Sequence, residues 1–195
     1  MWIFTVLVIV FFMALGAAAL LYNSLVRKRN LYKNAFAQID VQLQRRFDLI
    51  PNLVASVRGY MAHEQQTLEG VISARNAAAH ALEDVKNSGD SHKMRKLVQS
   101  SEHLGAALRH LAVVVENYPD LKANTNMMHL QEELASTENK VSFARQAYND
   151  AVMSYNTTRE SFPQNLVASV LGFAPAALFD LPAQAPARSP VRVEF

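Results

Sequence analysis

Apolar residues follow two patterns along the chain, a continuous run at the start and a spaced repeat afterwards. From Met1 to Tyr22 only Thr5 and Gly16 fall outside the hydrophobic set. About 20 such residues cross a hydrocarbon core of about 30 Å, so residues 1–22 are predicted to form a transmembrane anchor. A cleaved signal peptide is the alternative, but it needs a basic leading segment and a shorter apolar core than this one.

Beyond the anchor, apolar residues recur every seven positions, which is the spacing of long, coiled-coil-like helices. The repeat predicts a helical bundle over residues 23–160, with helices at about 24–86, 92–118 and 121–160. We expect an all-α fold in which the transmembrane helix continues into an antiparallel bundle of three or four helices. The main apolar rows are Leu43, Ile50, Val57 and Val71; Phe47, Val54, Met61 and Leu68; Leu97, Leu104, Leu111 and Tyr118; and Met127, Leu134, Val141, Tyr148 and Tyr155.

Pro51 lies inside the first of these repeats, and proline removes a backbone donor from a helix. Because the seven-residue register passes through Pro51 without a skip, one long kinked helix is favoured. A break is the alternative, with Asp48 capping a new helix whose first turn tolerates the proline. The segment 87–91 is predicted to end the first helix and cap the second, whereas Pro119 ends the second and Asp120 caps the third.

The last 35 residues are predicted to form a short helix and a tail. Ser161 to Gln164 match a capping box, and Gly172 is placed to end the helix that follows. Residues 161–180 are therefore expected to be a capping helix with a docking segment, and the proline-rich residues 181–195 a flexible tail. The side chains expected to dock this segment on the bundle are Phe173, Leu178 and Phe179.

Charge first appears in the chain immediately after the anchor. Residues 1–26 contain no Asp, Glu, Lys, Arg or His, and no acidic residue precedes Asp40. Flanks rich in Lys and Arg stay in the cytoplasm, so we expect a single-pass protein of the bacterial inner membrane with its N-terminus outside and its bulk cytoplasmic. The residues expected to contact lipid headgroups are Arg27, Lys28, Arg29 and Lys33.

Whole-chain composition hides this division, because 195 residues with a net charge of +2 and 50% hydrophobic residues suggest an ordinary soluble protein. The count of zero cysteines excludes a disulfide scaffold, a cysteine zinc site and a thiol nucleophile. Because the basic cluster is short and tied to the bilayer, no nucleic-acid binding is expected.

Titratable residues are not spaced for catalysis or metal binding. His63 and Glu64 begin like the HExxH zinc motif, but position 67 is threonine. His103 and His110 lie about 10 Å apart along a helix and could face one partner, but lone histidines on a surface or in a groove are far commoner than metal ligands. The sequence also contains no GxSxG motif and no glycine-rich phosphate loop. We therefore expect no enzyme activity, no metal and no cofactor.

Helix lengths predict assembly with a second copy. The first predicted helix would span about 90 Å and the second would return only about 40 Å, which leaves the membrane-proximal half of the first uncovered. That half carries an apolar stripe that water should not contact, and the bilayer concentrates neighbouring copies that can cover it. A fold-back at Pro51 into a four-helix monomer is the alternative. The stripe comprises Leu31, Ala35, Ile39, Leu43 and Phe47.

Short motifs over nearly the whole chain resemble the LemA family of bacterial membrane proteins. They are Tyr22-Asn23, Arg45–Val54, Val57–Tyr60 with His63-Glu64, Glu116–Pro119, Leu130–Leu134, Thr137–Asn139 with Ala144-Arg145, Tyr148-Asn149, Tyr155-Asn156, Phe162-Pro163 and Gly172-Phe173. Met127-Met128 depart from the family, where aromatic residues are commoner. The resemblance implies an anchored helical bundle without catalytic activity, associated with envelope maintenance and membrane metalloproteases. It marks as motif polar residues Arg45, Asp48, Asn52, Glu138, Asn139 and Arg145.

The sequence thus predicts a non-enzymatic, membrane-anchored, self-associating scaffold or adaptor. Its partners are expected to be membrane lipids, further copies of the same chain and another membrane protein. A regulator or adaptor that binds a membrane metalloprotease in envelope maintenance is the alternative function.

Overall fold

The structure, a computed structural model, describes residues 1–61, 63–88, 90–122 and 124–180. Within these ranges the chain is helical and contains no strand, so the all-α prediction is confirmed. The predicted tail at 181–195 lies outside the described residues. The helices are α1 (Trp2–Arg58), α2 (Gln65–Ser88), α3 (Ser91–Val115), α4 (Pro119–Lys122), α5 (Thr125–Glu160) and α6 (Gln164–Val170).

The chain divides into two compact units, and α1 and α5 contribute to both. Unit 1 consists of Met1–Ile39 and Phe143–Leu178, and unit 2 of Asp40–Ser142 with the segment that begins at Phe179. In unit 1, Lys28 donates to the Ser154 hydroxyl at 2.7 Å, whereas Phe36 meets the ring of Tyr148. Later positions on α1 thus meet earlier positions on α5, and the two helices are antiparallel.

Unit 2 is a bundle of the part of α1 from Asp40 onward, α2, α3 and the first half of α5. Lys86 on α2 pairs with Asp40 on α1 at 3.2 Å, and Lys96 on α3 pairs with Asp84 on α2 at 3.3 Å. The predicted apolar rows fill its core, because apolar rows on packed helices are buried together. The buried members are Leu43, Phe47, Ile50, Val54, Val57, Met61, Leu68, Val71, Leu97, Leu104, Leu111, Met127 and Val141.

The first predicted helix is two helices. α1 ends at Arg58 instead of continuing to about residue 86, and α2 begins at Gln65. Gly59 is a poor helix former, and the N–H groups of Tyr60 and Met61 both bond to the carbonyl of Val57 in a tight turn. The seven-residue repeat missed this turn because it records which positions are buried, and the core residues of both helices keep the same spacing.

Pro51 does not break α1, so the alternative in which Asp48 caps a new helix is wrong. A proline at this position leaves the carbonyl of Phe47, four residues earlier, without its helical donor. Arg75 on α2 replaces that donor, because its Nε lies 3.2 Å from the Phe47 oxygen. The tertiary contact therefore satisfies the carbonyl that the proline leaves unpaired.

Of the caps predicted for the second and third helices, one is observed and one differs. Asp90 caps α3 as expected, with its carboxylate accepting from the N–H of His92. Asp120, the predicted cap of the third helix, lies in the short α4 instead. The cap of α5 is Asn124, whose Oδ1 accepts from the N–H groups of the second and third residues of the helix at 2.9 and 3.3 Å.

The capping box predicted before α6 is also wrong. The hydroxyl of Ser161 donates back to the carbonyl of Thr157 at 2.7 Å, and Pro163 occupies the cap position of α6. Gly172 ends the helix as predicted, with a φ of 70° that favours glycine. Of the expected docking residues, the side chains of Phe173 and Phe179 are buried and that of Leu178 is exposed.

Residues 173–177 are attached to α5 by side chains of that helix. Tyr148 and Tyr155 donate their hydroxyls to the carbonyls of Ala177 and Ala174 at 2.8 and 2.9 Å. Asn156 both donates to and accepts from the backbone of Ala176. These hydrogen bonds hold the segment after α6 against α5.

The stripe predicted to bind a second copy is mostly covered within the chain. Ile39, Leu43 and Phe47 have no exposed surface, and Ala35 is partly buried, whereas Leu31 keeps 57% of its surface exposed. The second helix is not the only cover, because the 36-residue α5 also packs on α1. The stripe therefore gives no argument for self-association, which stays a prediction.

Candidate functional site

A cavity of about 540 Å³ lies in unit 2 between α1, α3 and α5, next to the end of α4. This volume falls within the range of about 300–1,000 Å³ that is usual for ligand sites. We call it the α3–α5 cavity. Its apolar walls include Leu53, Leu111, Val115, Met127 and Leu134, and its polar lining comprises Arg46, Arg109, Glu116, Lys122, Gln131 and Glu138.

Arg46 is the most constrained charge of the cavity. It lies between the core positions Leu43 and Phe47 on the inward face of α1, and only 5% of its surface is exposed. A buried charge is costly unless it is paired. The carboxylate of Glu138 on α5 pairs with it at 2.7 Å while keeping 56% of its own side-chain surface exposed. The pair therefore joins the core to the open side of the cavity.

A glycine makes room for a second guanidinium beside this pair. Gly105 is buried in the middle of α3. A Cβ on it would lie 3.4 Å from Nη1 of Arg109 and 3.7 Å from Nη2 of Arg46. Both guanidinium groups therefore lie over the glycine, although a glycine inside a helix costs about 1 kcal/mol relative to alanine. This end of the cavity holds two positive groups against one carboxylate.

Burial lowers the pKa of the Arg46 guanidinium from its ordinary value. Glu138 opposes this shift, and the neighbouring charge of Arg109 adds to it. Because a guanidinium stays protonated in proteins, the result is a stable positive potential beside an apolar wall. Such an arrangement suits an apolar segment that carries an anionic group.

The structure brings one of the predicted motif residues to this cavity and leaves the others elsewhere. Glu138 lines the cavity, and Arg45 forms a half-exposed pair with Glu133 at 3.6 Å. Arg145 is partly buried in unit 1. Asp48, Asn52 and Asn139 are exposed and do not line the cavity.

Sequence reasoning missed Arg46, Gly105 and Arg109 as members of one site. The signals were a charged residue between two core positions and a glycine next to the core residue Leu104. Each signal is ordinary by itself, and the contact between residues 46, 105 and 109 depends on how α1 and α3 pack.

The four residues predicted to contact headgroups have different surroundings. Arg27 and Lys33 are exposed. Lys28 bonds to Ser154, and the guanidinium of Arg29 lies 5.1 Å from the ring centroid of Phe173. Two of the four are thus engaged within unit 1.

In the described ranges, no group of three His, Asp or Glu side chains is placed to hold a metal ion. His103 and His110 are exposed and line a separate groove between α2 and α3. Among its described lining residues, the α3–α5 cavity contains no Ser, Thr, Cys or His. Apolar walls with a few fixed charges are typical of a binding site.

The start of α1 is suited to a membrane. Its most apolar 18-residue window has a mean hydropathy of 2.7, and none of that window is buried within the chain. By length and composition it is the one helix of the described residues that can cross a bilayer.

Comparisons with known proteins agree with this assignment. The chain is 27% identical to Magnetosome protein MamQ 2 of Paramagnetospirillum magneticum over 174 residues, which cover 81% of this chain and 64% of that protein. It is 24% identical to Magnetosome protein MamQ of Magnetospirillum gryphiswaldense over 78% of this chain and 62% of that protein. Protein LemA of Metamycoplasma hominis is 26% identical over 80% of this chain and 68% of its own length.

The chain thus spans slightly less than two thirds of the MamQ proteins that it matches, and none of these names specifies an enzyme. The apolar helix and these relatives indicate a membrane-associated protein. Residues 35–195 match the sequence model of the LemA family. The chain therefore belongs to the LemA family.

Proposed function

We propose that the chain is a non-enzymatic scaffold or adaptor of the bacterial inner membrane that self-associates and holds a partner segment in the α3–α5 cavity. The observation that carries the proposal is the lining of this cavity, in which an apolar floor meets the Arg46–Glu138 pair and Arg109. Covering apolar surface stabilises a complex by about 25 cal/mol per Å², and the fixed charges orient the segment that covers it.

Membrane anchoring supports self-association. Chains confined to one bilayer meet at a high effective concentration, so a weak lateral contact is sufficient to hold copies together. The basic residues that follow the apolar stretch support a cytoplasmic location for the chain beyond that stretch, with the N-terminus outside.

Single cysteines test the binding site, because the natural chain contains none. Ala135 is exposed and lines the cavity, whereas its neighbour Ser136 is exposed and does not. The variants Ala135→Cys and Ser136→Cys, each carrying a thiol-linked photocrosslinker, are co-expressed with a differently tagged copy. We expect a product with both tags from position 135 only. Equal products from both positions, or none, would contradict the proposal.

The same experiment distinguishes self-association from the alternative function. A position-135 product that contains one copy of this chain and one membrane metalloprotease would support a regulator in place of a self-associating scaffold.

The location of the chain beyond the anchor is tested by labelling Ser136→Cys with a membrane-impermeant maleimide. Labelling is expected only after the cells are opened, and labelling of intact spheroplasts would contradict the cytoplasmic assignment.

A further inference from the structure

The side of α6 that faces away from α1 is apolar and exposed. Phe162 lies in the turn before α6, and Leu166 and Val170 are four residues apart within the helix and therefore lie along one side of it. Their exposed fractions are 79%, 57% and 83%, and Leu171 beside them is 54% exposed. A contiguous patch of this kind on a protein surface marks a place where something other than water makes contact.

The opposite side of α6 packs at one particular level of α1. Ala168 and Phe173 form a buried cluster with Leu25, against which Val167 also packs. The ring of Phe173 meets that of Tyr22 with 5.8 Å between centroids. α6 thus lies beside the last turn of the uncharged stretch of α1.

The part of α1 that contacts α6 is also where the uncharged stretch of the chain ends. No Asp, Glu, Lys or Arg occurs in residues 1–26 or in residues 161–179. The first charges of α1 are at positions 27–29, where Arg27 is exposed and Arg29 lies over the Phe173 ring. Two uncharged segments therefore lie side by side, and basic residues follow immediately along α1. Apolar surface next to basic residues is the arrangement found at a membrane interface.

We propose that α6 is an interfacial helix, with Phe162, Leu166 and Val170 inserted among the lipids that surround the base of α1. About 20 residues cross the hydrocarbon core, so Tyr22 lies near its boundary. Residues 22–26 rise about 6 Å beyond it, and interfacial helices bury their apolar face about 5–10 Å into this region. The patch therefore reaches the acyl boundary without any movement of unit 1.

The partner is a lipid surface because the bilayer that surrounds the end of α1 is already in place beside the patch. Arg159 donates through Nε to the Phe173 carbonyl at 2.8 Å, and the tyrosine and asparagine bonds from α5 hold the residues that follow. The helix is thus presented to the membrane in a fixed position and needs no folding step on contact.

Tryptophan quenching tests this inference in the full chain. The natural chain has one tryptophan, Trp2, so the background is Trp2→Phe. Leu166→Trp and Val170→Trp place the probe on α6. Phe143→Trp is the matched control, because Phe143 is also exposed, at 73%, and lies on α5 about 25 Å before the end of that helix. Each chain is reconstituted into vesicles with and without lipids brominated on the acyl chains.

We expect the probes at positions 166 and 170 to lose most of their emission to brominated lipid and little to aqueous iodide, with the reverse at position 143. Strong iodide quenching at 166 and 170 would overturn the inference. Blue-shifted emission there without quenching by brominated lipid would overturn it as well, because a protein would then cover α6. Flotation of the vesicles reports separately whether α1 is inserted, and circular dichroism whether each variant is folded.

Discussion

Arg75 is expected to stabilise α1 only because Pro51 is present. Arg75→Met removes the donor from the carbonyl of Phe47, a residue with no exposed surface. A buried carbonyl that loses its partner costs about 1–3 kcal/mol, and about 2 kcal/mol is expected here. In a chain of this size that corresponds to a decrease in Tm of about 4–8 °C.

The second half of the experiment repeats the change in Pro51→Ala. That substitution restores a backbone N–H at position 51, which bonds to the Phe47 carbonyl as in an ordinary helix. Arg75→Met should then cost less than about 0.5 kcal/mol, so the double-mutant cycle gives a coupling energy of about 1.5 kcal/mol between the two positions. Thermal unfolding of the full chain in detergent, followed by circular dichroism, measures each corner.

Arg95→Met, on an exposed arginine of α3, is the control for losing a positive charge and should leave Tm unchanged. Equal costs of Arg75→Met with and without the proline would refute the reasoning. The carbonyl would then be satisfied in some other way, and the arginine would act only through its packing.

Further predictions concern the cavity and the tyrosines of unit 1. Glu138→Gln leaves a buried guanidinium without its ion pair and should lower the free energy of unfolding by about 2 kcal/mol. Arg46→Met removes the buried charge, leaves Glu138 in water and should lower it by less than about 1 kcal/mol. Equal melting temperatures of the two variants would contradict this difference. Gly105→Ala should raise Tm, since its Cβ meets only flexible guanidinium ends, and Gly105→Leu should lower it by displacing them. Burial raises the pKa of Tyr148 and Tyr155, so the stability that the protonated phenols contribute is complete below pH about 10 and is lost as pH rises through the folded pKa. Burial also raises the pKa of Tyr32, so absorbance at 295 nm should show three late-titrating phenols whose ionisation coincides with loss of helix.

The apolar rows show how far periodicity alone reaches. The spacing of Leu97, Leu104 and Leu111 predicted buried positions correctly, because any helix that packs must bury one face. The same spacing could not locate the turn after Arg58, since two antiparallel helices bury rows with the same period as one long helix. Periodicity therefore reports burial and helix type, but it does not report where the chain reverses.

The candidate site depended almost entirely on packing. Residues 46, 105 and 138 are separated by tens of positions, and no local pattern relates a buried arginine on α1 to a glycine on α3. The stripe predicted to bind a second copy also depended on packing, because that prediction assumed which helices meet. Beside that stripe, Phe36 contacts Tyr148 on α5, a helix that lies far along the chain and that the length argument did not consider.

By itself the sequence determined the all-helical class, the apolar segment long enough to cross a membrane, the family and most of the core positions. These follow from composition and from spacing over one or two helical turns, because they depend on residues that are close in the sequence. The tertiary structure alone decided that the first helix ends at Arg58, that Arg46, Arg109 and Glu138 share a cavity, and that α6 lies beside Tyr22. Those features depend on contacts between distant segments, and their free energy comes from desolvation and pairing that exist only once the helices are packed.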